Sequence, residues 1–260
     1  MPTRRAFVGT LAAMTFSALP ATLAAERSPQ PRGSRRRVIV LDVNETLLDI
    51  SVLTPHFQRL FGSGEVLREW FSTLLLYSNV ANVAGPYAEF GAIAGAALDM
   101  VATARKVTLT GEDRDAILGA MRSLPAHADV RPGLERLRKA GFRLVTLTNS
   151  APAVVDQQIK HAGLMDVIER SFSVDAVKRF KPAPEPYQYV ARELGVTTSD
   201  LRMVAAHAWD VVGALRAGCA AAFLARPGKV LYPLGPQPDV VAPDLDAAAK
   251  RIIAADSGRD

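Results

Sequence analysis

The chain has 260 residues, with 31 Lys+Arg against 26 Asp+Glu, 49 % apolar and 22 % charged residues; this is the composition of one large or two small globular domains and excludes a disordered or low-complexity scaffold. Residues 1–37 hold seven of the basic residues and a single acidic one, Glu26, whereas 38–260 hold 24 basic and 25 acidic residues, so the net positive charge sits in the leader and a nucleic-acid-coating body is excluded. The lone Cys219 excludes an intramolecular disulfide and a Cys-rich metal site.

Thr3-Arg4-Arg5-Ala6-Phe7-Val8 is a twin-arginine run, followed by a mostly apolar stretch from Ala6 to Leu19 and by small residues at Ala21, Ala24 and Ala25. Residues 1–25 therefore read as an export signal, cleaved near Ala24 or Ala25, that carries a folded protein to the periplasm; without it the chain stays cytoplasmic. Gly9, Thr10, Thr15 and Ser17 interrupt the stretch and Pro20 stops it, short of the roughly 20 residues a membrane span needs, so no span is expected. Residues 26–37, with Pro29, Pro31, Gly33 and Arg35-Arg36-Arg37, form a basic linker without an apolar period.

Val38-Ile39-Val40-Leu41 is a continuous apolar, largely β-branched run stopped by Asp42, the pattern of a strand buried on both faces. Residues 50–130 carry helical patterns instead, at Leu67 to Tyr77, Ala88 to Ala104 and Gly111 to Leu124, with Thr110 as the cap of the last. Strands return at Leu144 to Leu147, Met203 to Ala206 and, more weakly, Ala221 to Leu224, separated by helices at Pro132 to Ala140, Ala153 to Ala162, Glu185 to Leu194 and Val211 to Ala217. Alternation of this kind predicts an α/β fold: a Rossmann-like parallel-sheet core made of 38–49 and 131–255, with a helical cap, 50–130, inserted after the first strand. The polar cluster after each strand then lies where open α/β sheets bind ligands.

Four clusters carry the chemistry: Asp42-Val43-Asn44-Glu45-Thr46-Leu47-Leu48-Asp49, Thr148-Asn149-Ser150, Lys181-Pro182 and His207-Ala208-Trp209-Asp210. In this order they resemble the haloacid dehalogenase (HAD) superfamily over about Val38 to Ala225, whose fold is a Rossmann-like sheet with a cap after the first strand. The side chains suit that comparison. Asp42 is the candidate carboxylate nucleophile, Lys181 keeps it ionised and aimed, and Thr148 and Asn149 offer donors to an anionic substrate, together with backbone N–H groups at the following helix start.

Position 44 separates branches of the superfamily. Phosphatases of this group have a second Asp there as general acid and base, and Asn44 cannot transfer that proton. A halide leaving group needs none. Leu147-Thr148-Asn149-Ser150, His161-Ala162-Gly163-Leu164, Ser173-Val174-Asp175 and Ala208-Trp209-Asp210 resemble the type II L-2-haloacid dehalogenases, in particular a subgroup with Asn-Glu after the nucleophile and His in the last motif. That resemblance implies a hydrolase of carbon–halide bonds, converting short 2-haloalkanoates to 2-hydroxy acids through an aspartyl ester with inversion at C2.

The chain departs from the family at Asn44, where an aromatic residue is usual, at His207 for Asn, at Ala205 for Ser, and at Phe71 where the halide-binding Arg is expected, with Arg68 about one helical turn away. The Asn44 amide and Trp209 are expected at the substrate, and cap residues Trp70, Phe71 and Tyr77 are expected to close a dry pocket over Asp42. Glu45 and His207, on loops of neighbouring strands, can reach the same side of Asp42; a Glu45-oriented His207 is a competent base for the water that hydrolyses the ester. Asp210 positions Lys181 or its loop.

No cofactor is expected, and Mg2+ only if the chain is instead a HAD-type phosphatase or phosphonatase; the further alternative is an exported, non-catalytic binding protein of the same fold. His56, His127 and His161 lack ligand spacing and read as cap-linker, loop and helix-packing residues. The expected partner is a small 2-haloacid, with no nucleic acid. Homodimers are common among the resembled enzymes, and the apolar cap surface allows one.

Overall fold

A computed structural model describes residues 38–256; the signal and linker expected at 1–25 and 26–37 lie outside the described residues. The elements run β1 (Val38–Leu41), α1 (Thr54–Phe61), α2 (Val66–Ala84), α3 (Phe90–Ala104), α4 (Gly111–Ala120), α5 (Val130–Lys139), β2 (Leu144–Thr148), α6 (Pro152–His161), β3 (Arg170–Ser173), α7 (Pro184–Leu194), β4 (Leu201–Ala205), α8 (Ala208–Arg216), β5 (Ala220–Leu224), β6 (Val240–Ala242) and α9 (Leu245–Asp256). Every residue of β1, β2 and β4 is buried, as expected of mostly apolar strands covered on both faces. Six strands form one parallel sheet in the order β3-β2-β1-β4-β5-β6. The order reverses between β1 and β4, so the carboxyl ends of these two strands form the crevice of the fold.

Five helices lie between β1 and β2, and the first four, α1 to α4, come directly after β1. They pack on each other through Trp70, whose ring lies 5.3 Å from that of Phe57 and whose Nε1 donates to Ala94 O at 2.9 Å. Thr110 caps α4 with a reciprocal bond to Asp113, satisfying two backbone donors at once. The helix ends at Ala120 and continues as a single 3-10 turn, Met121–Ser123, rather than running to Leu124. Helix α8 begins at Ala208, earlier than its apolar period shows, so Trp209 and Asp210 belong to its first turn.

Two strands escape sequence patterning. Edge strand β3 is Arg-Ser-Phe-Ser, polar at its start, with the Arg170 guanidinium 4.4 Å above the Phe172 ring; β6 has only three residues. His161 ends α6 exposed, because Val155, Gln158 and Ile159 take that helix's buried face, so it is not a packing residue. A buried cation sits at the base of β4: Arg202, whose side chain is 0 % exposed, donates to Asp256 at the end of α9 (2.8 and 2.9 Å) and to Asp239 (2.5 and 2.9 Å).

Candidate active site

Asp42 follows β1 directly and its N–H donates to Val204 O at 3.0 Å, which fixes the residue level with the end of β4. The loop then turns back on itself: Leu47 and Leu48 N–H both donate to Val43 O, and Glu45 N–H donates to Leu48 O at 2.9 Å. Inside this turn Thr46 Oγ1 donates to Asp42 Oδ2 at 2.6 Å and accepts from Ala206 N at 2.9 Å, tying the loops of β1 and β4 together.

Lys181 Nζ, 1 % exposed, donates to Asp42 Oδ1 at 2.8 Å, Asp210 Oδ2 at 2.7 Å and Leu147 O at 2.8 Å. All three ammonium protons are therefore used. Asp210 in turn accepts from Tyr187 Oη at 2.6 Å. Helix α8, which carries Asp210, comes this close to Pro182 and Tyr187 because Gly213 has no side chain; a Cβ there would lie 2.6 Å from Pro182 Cβ and 2.7 Å from Tyr187 Oη.

On the other side of Asp42, His207 Nδ1 lies 3.0 Å from Asp42 Oδ2 and its Nε2 lies 2.7 Å from Glu45 Oε2. The Glu45–His207 contact expected from loop adjacency is thus present. Its protonation state differs from that of a ready base. Burial disfavours the charged ring, but the Asp42 and Glu45 carboxylates outweigh it and raise His207 to about 9, so the resting residue is an imidazolium donating in both directions. Burial pushes Asp42 up, yet Lys181 and His207 more than offset it and hold the carboxyl well below the usual range. Glu45 is likewise lowered against its burial by His207 and Lys229. Asp210 is raised, first by burial, and leans on Lys181 for its charge.

The expected binding residues are placed as follows. Thr148 and Asn149 are buried at the end of β2, Thr148 Oγ1 accepting from Ser150 N at 3.1 Å and Asn149 Oδ1 from Lys181 N at 3.1 Å; the Thr148 hydroxyl proton and the Asn149 NH2 are the donors that remain. The Asn44 amide is tied toward α6, donating to Ser150 Oγ at 3.3 Å and accepting from Gln158 Nε2 at 3.0 Å. Trp209 and Phe71 both stack on the His207 ring, at 5.0 and 6.4 Å. Tyr77 does not join them. Helix α2 buries the stripe Leu67, Phe71, Leu74 and Ser78, and Tyr77 falls at its margin, 40 % exposed.

A family model described as haloacid dehalogenase-like hydrolase matches residues 36–218.

The chain belongs to the haloacid dehalogenase-like hydrolases.

Among its relatives, an (S)-2-haloacid dehalogenase of Pseudomonas sp. (strain YL) is 28 % identical over 82 % of this chain and 92 % of that protein, and one of Xanthobacter autotrophicus is 31 % identical over 73 % and 75 %. The solved structure of L-2-haloacid dehalogenase from X. autotrophicus with chloropropionic acid covalently bound superposes with TM-score 0.79 at 25 % identity, covering 87 % of this chain and all of that one. Six parallel strands flanked by helices are the fold these dehalogenase structures share with it.

In this haloacid dehalogenase-like hydrolase the site also draws in residues to which the sequence assigns no role: Thr46, inside the first cluster, and Tyr187 and Lys229, outside all four. Thr46 and Tyr187 complete the hydrogen bonding of the two central carboxylates. Lys229, on the loop after β5, lies 2.7 Å from Glu45 Oε1. A cavity of about 890 Å3 opens beside them, lined by Glu45, Lys229 and His127 on the core side and by Leu67, Arg68 and Phe71 on the cap side. Among the described residues, no group of three or more His, Cys, Asp or Glu side chains is arranged to hold a metal ion.

Proposed function

We propose that the protein is an (S)-2-haloacid dehalogenase that hydrolyses short 2-haloalkanoic acids to 2-hydroxy acids and halide, with Asp42 as nucleophile. The observation that carries the reading is the Asp42 carboxylate, buried yet held ionised by Lys181 on Oδ1 and by Thr46 and His207 on Oδ2, beside an Asn44 that cannot protonate a leaving group. Oδ2 already accepts two hydrogen bonds, so the open lone pair is on Oδ1, which attacks C2 while the C–X bond breaks with its electron pair going to the halide. Thr148, Asn149 and the N–H groups entering α6 are the donors for the substrate carboxylate, and Trp209, Asn44 and Phe71 bound the site.

Alkylation neutralises Asp42 and so removes one of the two anions that keep His207 charged. The ring then loses its proton and serves as general base for a water that attacks Asp42 Cγ; Cγ–O cleavage returns the carboxylate and frees the 2-hydroxy acid. Bromide and chloride release from both enantiomers of 2-bromopropionate and 2-chloropropionate, with and without EDTA, tests the assignment. Release is expected from one enantiomer, insensitive to EDTA, and absent in Asp42→Asn. No release by the wild type, or hydrolysis of p-nitrophenyl phosphate that depends on Mg2+, would overturn it.

Two companion proposals rest on other features. The twin-arginine run Arg4-Arg5 supports export to the periplasm, tested by fractionation with and without Arg4→Lys and Arg5→Lys. On α2, Leu76, Tyr77, Val80 and Val83 are 59, 40, 42 and 90 % exposed, an apolar stripe that supports a homodimer; light scattering is expected to give twice the chain mass.

A further inference from the structure

Hydrolysis of a carbon–halogen bond liberates one proton for every halide, and a buried site must let that proton out. Asp42 and His207 are 5 and 6 % exposed and neither lines the cavity, whereas Glu45 and Lys229 do. Glu45 faces both ways, with Oε2 2.7 Å from His207 Nε2 and Oε1 2.7 Å from Lys229 Nζ. Its backbone sits at φ +61°, a left-handed conformation uncommon for a residue with a Cβ and retained where the surroundings over-determine it.

Lys229 is placed with equal care. Arg226 donates through Nε and Nη2 to Thr46 O at 2.9 and 2.7 Å and pairs with Asp129 at 3.0 Å, and Lys229 N–H donates to Arg226 O at 2.9 Å. The turn that carries the lysine is thereby fastened to the same loop that carries the nucleophile and Glu45. Besides Lys229, the charged or titratable groups facing the Glu45–His207 pair are Asp42, with Lys181 behind it, and His127, which lies near the Glu45 backbone and near Arg226, Asp49 and Asp129.

Resting on the dehalogenase reading above, we propose that the proton of each turnover leaves His207 through Glu45 into this cavity, and that Lys229 is the positioning residue that keeps Glu45 aimed at His207. The step balances. Once Asp42 is esterified, His207 Nε2–H passes its proton to Glu45 Oε2, and Glu45 passes it to water in the cavity. The proton left on the ring shifts by exchange with water to Nε2, where Glu45 accepts its hydrogen bond, and the freed Nδ1, which faces Asp42, takes one proton from the hydrolytic water; that water's other proton ends on the hydroxyl of the product. The imidazolium and both carboxylates are restored, with one proton and one halide ion released.

The test compares full-length wild type, Lys229→Met, Lys229→Arg and Glu45→Gln, reading the rate of the bromide burst released in a single turnover of 2-bromopropionate with enzyme in excess, and the steady-state kcat across pH 5–9. The burst reports alkylation, which Lys229 does not touch. For Lys229→Met the burst is expected to stay within about twofold of wild type while kcat falls by about tenfold or more, KM changes little, and the acidic limb of the kcat profile moves to higher pH, because a Glu45 without its lysine holds its proton more tightly. Lys229→Arg is expected to restore kcat to within about threefold, and formate, small enough for the cavity, to raise the kcat of Glu45→Gln. Parallel loss of burst and kcat in Lys229→Met, an unmoved pH profile, or no rescue by arginine would each overturn the outlet. No bromide release by wild type, in a single turnover or in the steady state, would instead overturn the reading on which it rests.

Discussion

Replacing Lys181 by Met removes the one cation that contacts both buried carboxylates. Met approximates the length of the lysine stem, so little volume is lost, but Asp42 Oδ1, Asp210 Oδ2 and Leu147 O each lose a donor at 2.7 to 2.8 Å, and the lysine they lose is 1 % exposed. Breaking a buried ion pair from one side costs about 3–5 kcal/mol. For a domain of this size each kcal/mol lowers Tm by about 2–4 °C, so the midpoint at pH 7 is expected to fall by about 6–20 °C. The same free energy, withdrawn from the proposed nucleophile Asp42, corresponds to a loss of about two to three and a half decades in halide release.

The loss has a sign in pH. Without Lys181 the two carboxyls are raised above their unfolded values, so the variant's deficit shrinks as pH falls toward 4 and grows as pH rises. Adding Asp210→Asn removes one stranded charge and is expected to recover part of the stability but none of the activity. Calorimetric melts of the single and double variants from pH 4 to 8, beside halide release, check this. A Lys181→Met midpoint within about 2 °C of wild type at pH 7 would refute the reasoning, since a displacement so small is under about 1 kcal/mol.

His207→Ala and Glu45→Gln are expected to alkylate Asp42 but to hydrolyse the ester slowly, so intact mass after mixing with 2-bromopropionate should show a covalent adduct that wild type does not accumulate; rapid turnover without an adduct would count against His207 as the base. Folding stability has an alkaline limb set by the same residue. His207 is raised from its ordinary value near 6.5 to about 9, so its contribution is full below pH 6.5 and lost as pH rises through about 9, an amount of about 3 kcal/mol. Urea melts of wild type and His207→Gln over that window should show the limb in the first and its loss in the second.

The parts of the molecule legible in the sequence are those where one physical demand dominates. Strands β1, β2 and β4 are buried on both faces and announce themselves as mostly apolar runs, and the polar clusters follow where those runs stop. Because β1 and β4 are neighbours, Glu45 and His207 could be brought together from loop positions alone. Edge strands β3 and β6 lack that signature, since one is polar and the other has three residues. Lys229 reaches Glu45 only through the turn that Arg226 fastens to Thr46 O, a long-range hydrogen bond with no local trace. Tyr77 falls outside the pocket expected of it because the helical period shows which stripe is apolar but not where α2 leaves the core. The charge of His207 was beyond reach for a similar reason: two carboxylates from one loop converge on one ring.

The buried Arg202 has a consequence for where the chain can be cut or extended. It sits at the base of the strand that presents His207, with Asp256 at the last turn of α9 supplying one of its two counter-ions. A truncation that removes α9 would thus do more than shorten a tail, because it strands a cation inside the central sheet beneath the loop that carries His207. The end of the described chain is in effect a keystone, and a purification tag belongs beyond Asp256 rather than in place of it.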